Sequence, residues 1–318
     1  MNSQGRTARS GLRSFGGRLA RRLARRGGFE LVRADQYEVV PKGHYDIVRR
    51  DYYSPVPNLE HLPGDIWDRR SRLGGVELQV DAGIGLIEDE LARFVDELDV
   101  RASGPSAAGK FFLANGNYES VDAELLYAMV RARKPKLVME LGSGFTTLLI
   151  GEAARRNAAD GNQTEHLAYD PFPRPQILGE SVPPPTHFEP TSATDVPLDA
   201  FGRLGPGDIL FVDTTHTVKL GSDVNYIILD VLPNLASGVI VHFHDVFLPW
   251  EYPRLWFEEM QYYWAEQYLL QAFLAFNREF EVLIPAAAVA AEFPERLAAV
   301  VPSFTPGHRP GAIWLIRR

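Results

Sequence analysis

None of the 318 residues is a cysteine. That absence excludes a disulfide framework, a thiolate zinc site and a thiol nucleophile. No apolar run approaches the roughly 20 residues that a membrane-spanning helix needs, and no hydrophobic signal core follows the basic start. The expectation is therefore a cytoplasmic protein in which the sequon Asn162-Gln163-Thr164 stays unused. Acids are missing from residues 1–29, which hold eight arginines between Arg6 and Arg26 and so carry +8. With a net charge of −8 overall, the remainder carries −16. Nucleic acid is not an expected partner of so acidic a body, because duplex binding rests on a basic face that neutralises phosphates. A small-molecule acceptor without strong negative charge fits better.

Within the basic tail, Leu12, Phe15, Leu19 and Leu23 recur at spacings of three and four, one apolar stripe on an arginine-rich helix. Such a helix suits peripheral contact with an anionic membrane or docking on a partner, and a homo-oligomer is a separate expectation for the chain. The flanking Gly16-Gly17 and Gly27-Gly28 favour a solvated tail instead. A transit peptide would share this composition. Residues 30–110 mix extended text around Tyr52-Tyr53-Ser54-Pro55 with an amphipathic helix from Ile84 to Leu98, and read as a small N-terminal cap. Gly104 to Gly109 reads as the linker to a main domain over 111–318.

In that domain strands and helices alternate. Strands are predicted at Leu137 to Leu141, His166 to Tyr169, Ile209 to Val212, Val239 to His242, Glu281 to Ile284 and Ala312 to Ile316. Helices are predicted at Val121 to Arg133, Thr147 to Asn157, Ser222 to Leu232 and Leu255 to Phe276. The alternation implies a doubly wound, mostly parallel α/β sheet, whose ligands bind beyond the carboxyl ends of the strands.

The first strand of that domain runs into Glu140-Leu141-Gly142-Ser143-Gly144. A dinucleotide turn would receive a pyrophosphate and carry a third glycine, but Thr147 stands at that position. The Glu140 carboxylate would repel a pyrophosphate and attract an ammonium or sulfonium group. S-adenosylmethionine carries both cations. The next strands end in Asp170, Asp213 and His244-Asp245, so four in succession carry an acid at or near the tip. Clustered carboxylates raise one another's pKa and cost stability unless a cation joins them.

These residues resemble the class I S-adenosylmethionine-dependent methyltransferases over about residues 115–318. Glu140 to Gly144 match the family's first motif, with Thr146 in place of its last glycine, and Asp170 matches the acid that ends its second strand. The turn over residues 158–162 makes the interval between them longer than usual. The resemblance implies a Rossmann-like seven-stranded sheet with an antiparallel final strand pair. It also implies S-adenosylmethionine against Gly142, Ser143 and Gly144, with Glu140 near its amino-acid end, Asp170 on its ribose hydroxyls and Asp213 beside it. Asp213, His244 and Asp245 correspond to the acidic metal site of catechol-type and macrolide-sugar-type O-methyltransferases. A histidine among the ligands suits zinc, manganese or iron better than magnesium.

Without a metal, His216 or His244 would be the general base on a hydroxyl, with Asp213 beside it. His242 reads as a core histidine. Trp250 and Tyr252, on the loop after the histidines, are expected in the acceptor pocket together with Tyr53. The expected activity is methyl transfer to a hydroxyl of a small molecule. The alternatives are a metal-dependent hydroxylase or hydrolase on the same strand tips, and a non-catalytic cofactor-binding protein anchored by its tail.

Overall fold

A computed structural model of the chain describes residues 20–33, 45–49, 51–98, 111–173 and 186–318. The tail positions Leu12, Phe15 and Leu19 and the linker at 104–109 lie outside the described residues. The chain divides into two compact units, Met1–Trp67 with Pro253–Tyr263, and Asp68–Tyr252 with Trp264–Arg318.

The smaller unit contains a helix over 20–26 and the antiparallel hairpin of β1 (Phe29–Arg33) and β2 (Tyr45–Arg49). Arg25 grips Glu30 through two nitrogens at 2.9 Å. The returning segment joins this hairpin where Gln261 Nε2 donates to the Leu31 carbonyl at 2.9 Å.

The larger unit is built on seven strands in the order β5-β4-β3-β6-β7-β9-β8. They are β3 (Leu137–Leu141), β4 (Glu165–Tyr169), β5 (Thr186–Glu189), β6 (Ile209–Val212), β7 (Ile240–Phe243), β8 (Phe280–Pro285) and β9 (Ile313–Arg317). The first five pair in parallel, and β9 runs antiparallel to both β7 and β8. The sheet is thus the expected α/β arrangement. Its central strands are short, wholly buried and mostly apolar, as parallel strands covered on both faces must be, with Glu140 and His242 the polar exceptions.

One face carries Leu141, Val212 and Phe243 against Ile227, Val231 and Leu270, from the helical run over 223–234 and the helix Glu266–Leu274. The other carries Val138, Phe211 and Trp314 against Leu126, Val130 and Leu149, from the helices Asp122–Arg133 and Phe145–Ala159. Burying each of these large side chains stabilises the fold by about 1.5–3 kcal/mol. Strand register sets Ala168, Glu140, Phe211, His242 and Trp314 side by side in one row across that second face.

Two expectations need correction. The helical run over 80–95 does not belong to an N-terminal cap: Ile84, Ile87, Leu91 and Phe94 pack into the same core as Leu125 and Leu126, so the division falls after residue 67 rather than near 110. The predicted helix from Leu255 to Phe276 is interrupted. Gln261 takes a left-handed backbone (φ 58°), leaving one turn at Trp256–Met260 in the smaller unit and the helix Glu266–Leu274 in the larger.

The two motif glycines have different duties. Gly142 has φ +86°, and a Cβ there would fall 1.8 Å from the Asp213 carbonyl oxygen, so only glycine lets β3 turn this close to the end of β6. Gly144 is extended (φ 176°), and a Cβ there would meet nothing within 4 Å. Gly142→Ala is therefore expected to lower the unfolding free energy by about 2 kcal/mol or more, whereas Gly144→Ala stays within about 1 kcal/mol of the parent. Urea denaturation of both variants checks the contrast, and equal losses would contradict it.

Candidate active site

The parallel pairing of β3, β6 and β7 carries on past their ends. Asp213 N donates to the Leu141 carbonyl at 2.9 Å, and His244 N donates to the Val212 carbonyl at 3.0 Å. Polar residues just beyond each strand are therefore held side by side at one edge of the sheet. After β6 the chain is pinned by Asp223, which accepts from Thr215 Oγ1 at 2.5 Å and Thr215 N at 3.1 Å. His216 and Asp245 both adopt left-handed backbone, with φ 54° and 57°. Such conformations cost non-glycine residues roughly 1–3 kcal/mol and collect at functional sites.

At this edge Asp213, His216 and Asp245 each direct a ligand atom into a space where all three lie within 4.8 Å of one another. His216 Nε2 is 3.1 Å from Asp213 Oδ1 and 3.6 Å from Asp245 Oδ2. Its Nδ1 is 2.8 Å from Oε2 of Glu266, which is fully buried. His244 Nδ1 reaches the same two aspartate oxygens at 3.6 and 3.5 Å, and its Nε2 is 3.7 Å from Asp122 Oδ2. Asp122 also accepts from Gly311 N at 2.8 Å.

The charges respond to this crowding. Burial opposes charge on His216, yet its bonds to Asp213 and Glu266 prevail and raise its pKa to about 10. Burial likewise works against charge on His244, but Asp245 and Asp213 hold it well above the ordinary histidine range. Burial acts to raise Asp213, and the two histidines overcome it and depress the carboxyl far below its usual range. Asp245 moves up, because burial outweighs the same histidines. Two positively charged histidines thus face a group of acids of which Asp213 and Asp245 are partly open to water.

Glu140 departs from the expected picture. Its side chain is wholly buried, accepts a 2.6 Å bond from Thr146 Oγ1, and pairs with His166 Nε2 at 3.0 Å. Both of its oxygens are thus satisfied by groups of the protein itself. Thr146, at the position of the missing motif glycine, is thereby explained as a donor to Glu140. Asp170 and Ser143 are half-buried beside the turn, where Asp170 Oδ2 accepts from Ser143 N and Oγ at 2.9 Å each. Its Oδ1 accepts from Phe172 N at 2.7 Å.

His242 is a core residue: burial drives its pKa well below the ordinary value, and Nε2 meets the Tyr118 hydroxyl at 3.2 Å. Its Nδ1 has no partner. Trp250 and Tyr252, expected in the acceptor pocket, are also core. Tyr252 Oη accepts from Gln267 N at 3.0 Å, and the Arg70 and Arg309 guanidinium groups lie over the Trp250 ring at 4.8 and 4.7 Å. Tyr53 is exposed, lies in the smaller unit, and meets Tyr52 edge-on at 5.4 Å.

Sequence reasoning missed three members of the site. Trp264 tilts over the His216 ring at 4.3 Å, Glu266 bonds that ring, and Asp122 approaches His244. Each comes from a helix start, or the residues before one, distant in the chain, and none sits in a motif that spacing could mark.

Residues 139–246, from within β3 to just beyond β7, match the family of methyltransferase domains. A search of curated proteins finds no match. Among solved structures, the chain is similar to a candidate methyltransferase from Thermobifida fusca YX, with 12% identity, 80% of this chain and 97% of that chain covered, and a TM-score of 0.33. Among the described residues, no helix is long and apolar enough to cross a membrane.

A histidine whose pKa is raised on folding stabilises the folded chain fully below its unfolded value, about 6.5, and loses that contribution as pH climbs through the folded value. In chelator-treated protein, His216 should thus contribute stability that declines between pH 6.5 and about 10. Melting curves of the parent and His216→Gln across this window are expected to converge as pH rises. A difference independent of pH would contradict the assignment.

Proposed function

We propose that the protein transfers the methyl group of S-adenosylmethionine to a hydroxyl oxygen of a small molecule, with a divalent cation held by Asp213, Asp245 and His216. The observation that carries this reading is the convergence of those three side chains at the tips of β6 and β7, one strand from an open glycine turn. Donors bound to one ion at about 2.0–2.2 Å lie about 3 to 3.6 Å from one another. The His216 contacts of 3.1 and 3.6 Å fall in that interval. Two carboxylates with an imidazole suit manganese, iron or zinc.

A role as free general base is less well supported for either histidine. A base must be unprotonated near neutral pH, and His216 keeps its proton to about pH 10. That proton is one a divalent cation would displace. When bound, such a cation lowers the pKa of a hydroxyl lying on it. The methyl donor supplies the electrophilic carbon.

The chain's own residues do the rest by holding and orienting. Asp170 accepts twice at Oδ2 from Ser143 and once at Oδ1 from Phe172 N, which leaves one lone pair, on Oδ1, for a ribose hydroxyl. The open space beside Gly144 suits a ligand's close approach to the backbone. Trp264 covers the His216 ring and shields it from water. His244 supplies positive charge next to Asp213 and Asp245, which keeps the carboxylates together before any ion arrives.

Calorimetry with S-adenosylmethionine tests the cofactor. Gly144→Val and Asp170→Ala are each expected to weaken binding at least ten-fold, Gly144→Val without loss of stability. No binding by the folded parent would overturn the assignment. Loss of activity in chelator and its recovery with Mn2+ are expected for the metal. Metal binding without affinity for the methyl donor would favour the hydroxylase or hydrolase reading, and cofactor binding with no turnover across a broad acceptor screen would favour a non-catalytic binding protein.

A further inference from the structure

We infer that Glu266 is a positioning residue for the metal centre, fixing the His216 ring so that Nε2 presents its lone pair between Asp213 and Asp245. The inference rests on the metal assignment proposed above. An imidazole ligates through one nitrogen only if the other carries the proton, and a hydrogen bond to that second nitrogen decides which is which. Glu266 Oε2 lies 2.8 Å from His216 Nδ1, and both side chains are almost completely buried. Nδ1 therefore donates to Glu266, and Nε2 is left facing the two aspartates.

The backbone reinforces this choice. The His216 carbonyl accepts from Ala265 N at 2.9 Å and Glu266 N at 3.2 Å, so the start of the helix Glu266–Leu274 holds the residue at main chain and ring alike. Trp264, two residues earlier, lies against the ring face at 4.3 Å. Ring rotation would break the Glu266 bond and push into Trp264. The helix start also favours a negative charge at Glu266.

A purely structural duty accounts poorly for the same facts. Glu266 Oε1 is buried with no hydrogen-bond partner. A buried carboxylate with one oxygen unsatisfied in this way carries a desolvation cost that its bond to His216 offsets only in part. A carboxylate that holds an imidazole toward a cation recovers that cost when the site is loaded.

Mn2+ titration of the full chain, followed by electron paramagnetic resonance without the methyl donor, tests the inference. Outer carboxylates of this kind typically contribute about 10- to 100-fold to metal affinity, so Glu266→Leu should weaken Mn2+ binding by that range while affinity for S-adenosylmethionine stays unchanged. Glu266→Gln keeps an acceptor oxygen without the charge and should weaken Mn2+ binding by less than the leucine variant does; it decides the matter if the leucine variant does not fold. Parental Mn2+ affinity in a folded variant would overturn the role of Glu266 while leaving the metal site standing. No Mn2+ binding by the parent would overturn both.

Discussion

Acids held closer together than they would tolerate in water give this structure its centre. Parallel pairing of β6 with β7 sets Asp213 opposite His244 and next to Asp245, and the helix starts at Glu266 and Asp122 bring two more carboxylates to the same edge. Each carboxylate is costly to bury, and each raises the others' pKa. The fold answers with His216 and His244, each reaching both aspartates. The left-handed backbone of His216 and Asp245 follows from the same demand, since both chains must bend sharply at the strand end to aim their side chains at one point.

The sheet beneath accommodates a second, separate polar arrangement. Glu140, in the row that also holds Phe211, His242 and Trp314, pairs with His166 from the neighbouring strand, and Tyr118 closes on His242 from the segment before the helix Asp122–Arg133. Phe211 stacks on His242 at 4.5 Å, and Trp314 flanks it at the same distance. A buried acid is tolerable here because a histidine and a threonine hydroxyl satisfy both of its oxygens. The charge of Glu140 is thus spent inside the fold, and the negative character of the strand tips comes from Asp170, Asp213 and Asp245.

Much of the scaffold was legible in the sequence, since strands such as Leu137–Leu141 and Ile209–Val212 are apolar runs cut off by glycines and acids. The chemistry that stands immediately after a strand was legible for the same reason: Asp170, Asp213 and His244-Asp245 are located by counting to a strand end. The burial and partners of individual side chains were not legible. Glu140 lies within β3, and alternation along the strand turns it into the core. Trp250 and Tyr252 follow the histidines directly, but a loop residue's direction depends on what packs over it, in this case Gln267, Arg70 and Arg309. The long predicted helix after Leu255 was misread because its residues favour helix throughout, and Gln261 breaks it at a site with no glycine or proline to warn of it.

By itself, then, the sequence determined the alternation of strands and helices, the glycine turn, and the acids at the strand tips, all of which depend on neighbours a few residues away. Only the tertiary structure decided that His216 comes up to Asp245, that Glu266 holds its other nitrogen, and that Glu140 is partnered by His166. Those pairings join residues 26 to 50 positions apart, and their partners are chosen by strand order and helix packing, for which no local pattern of residues codes.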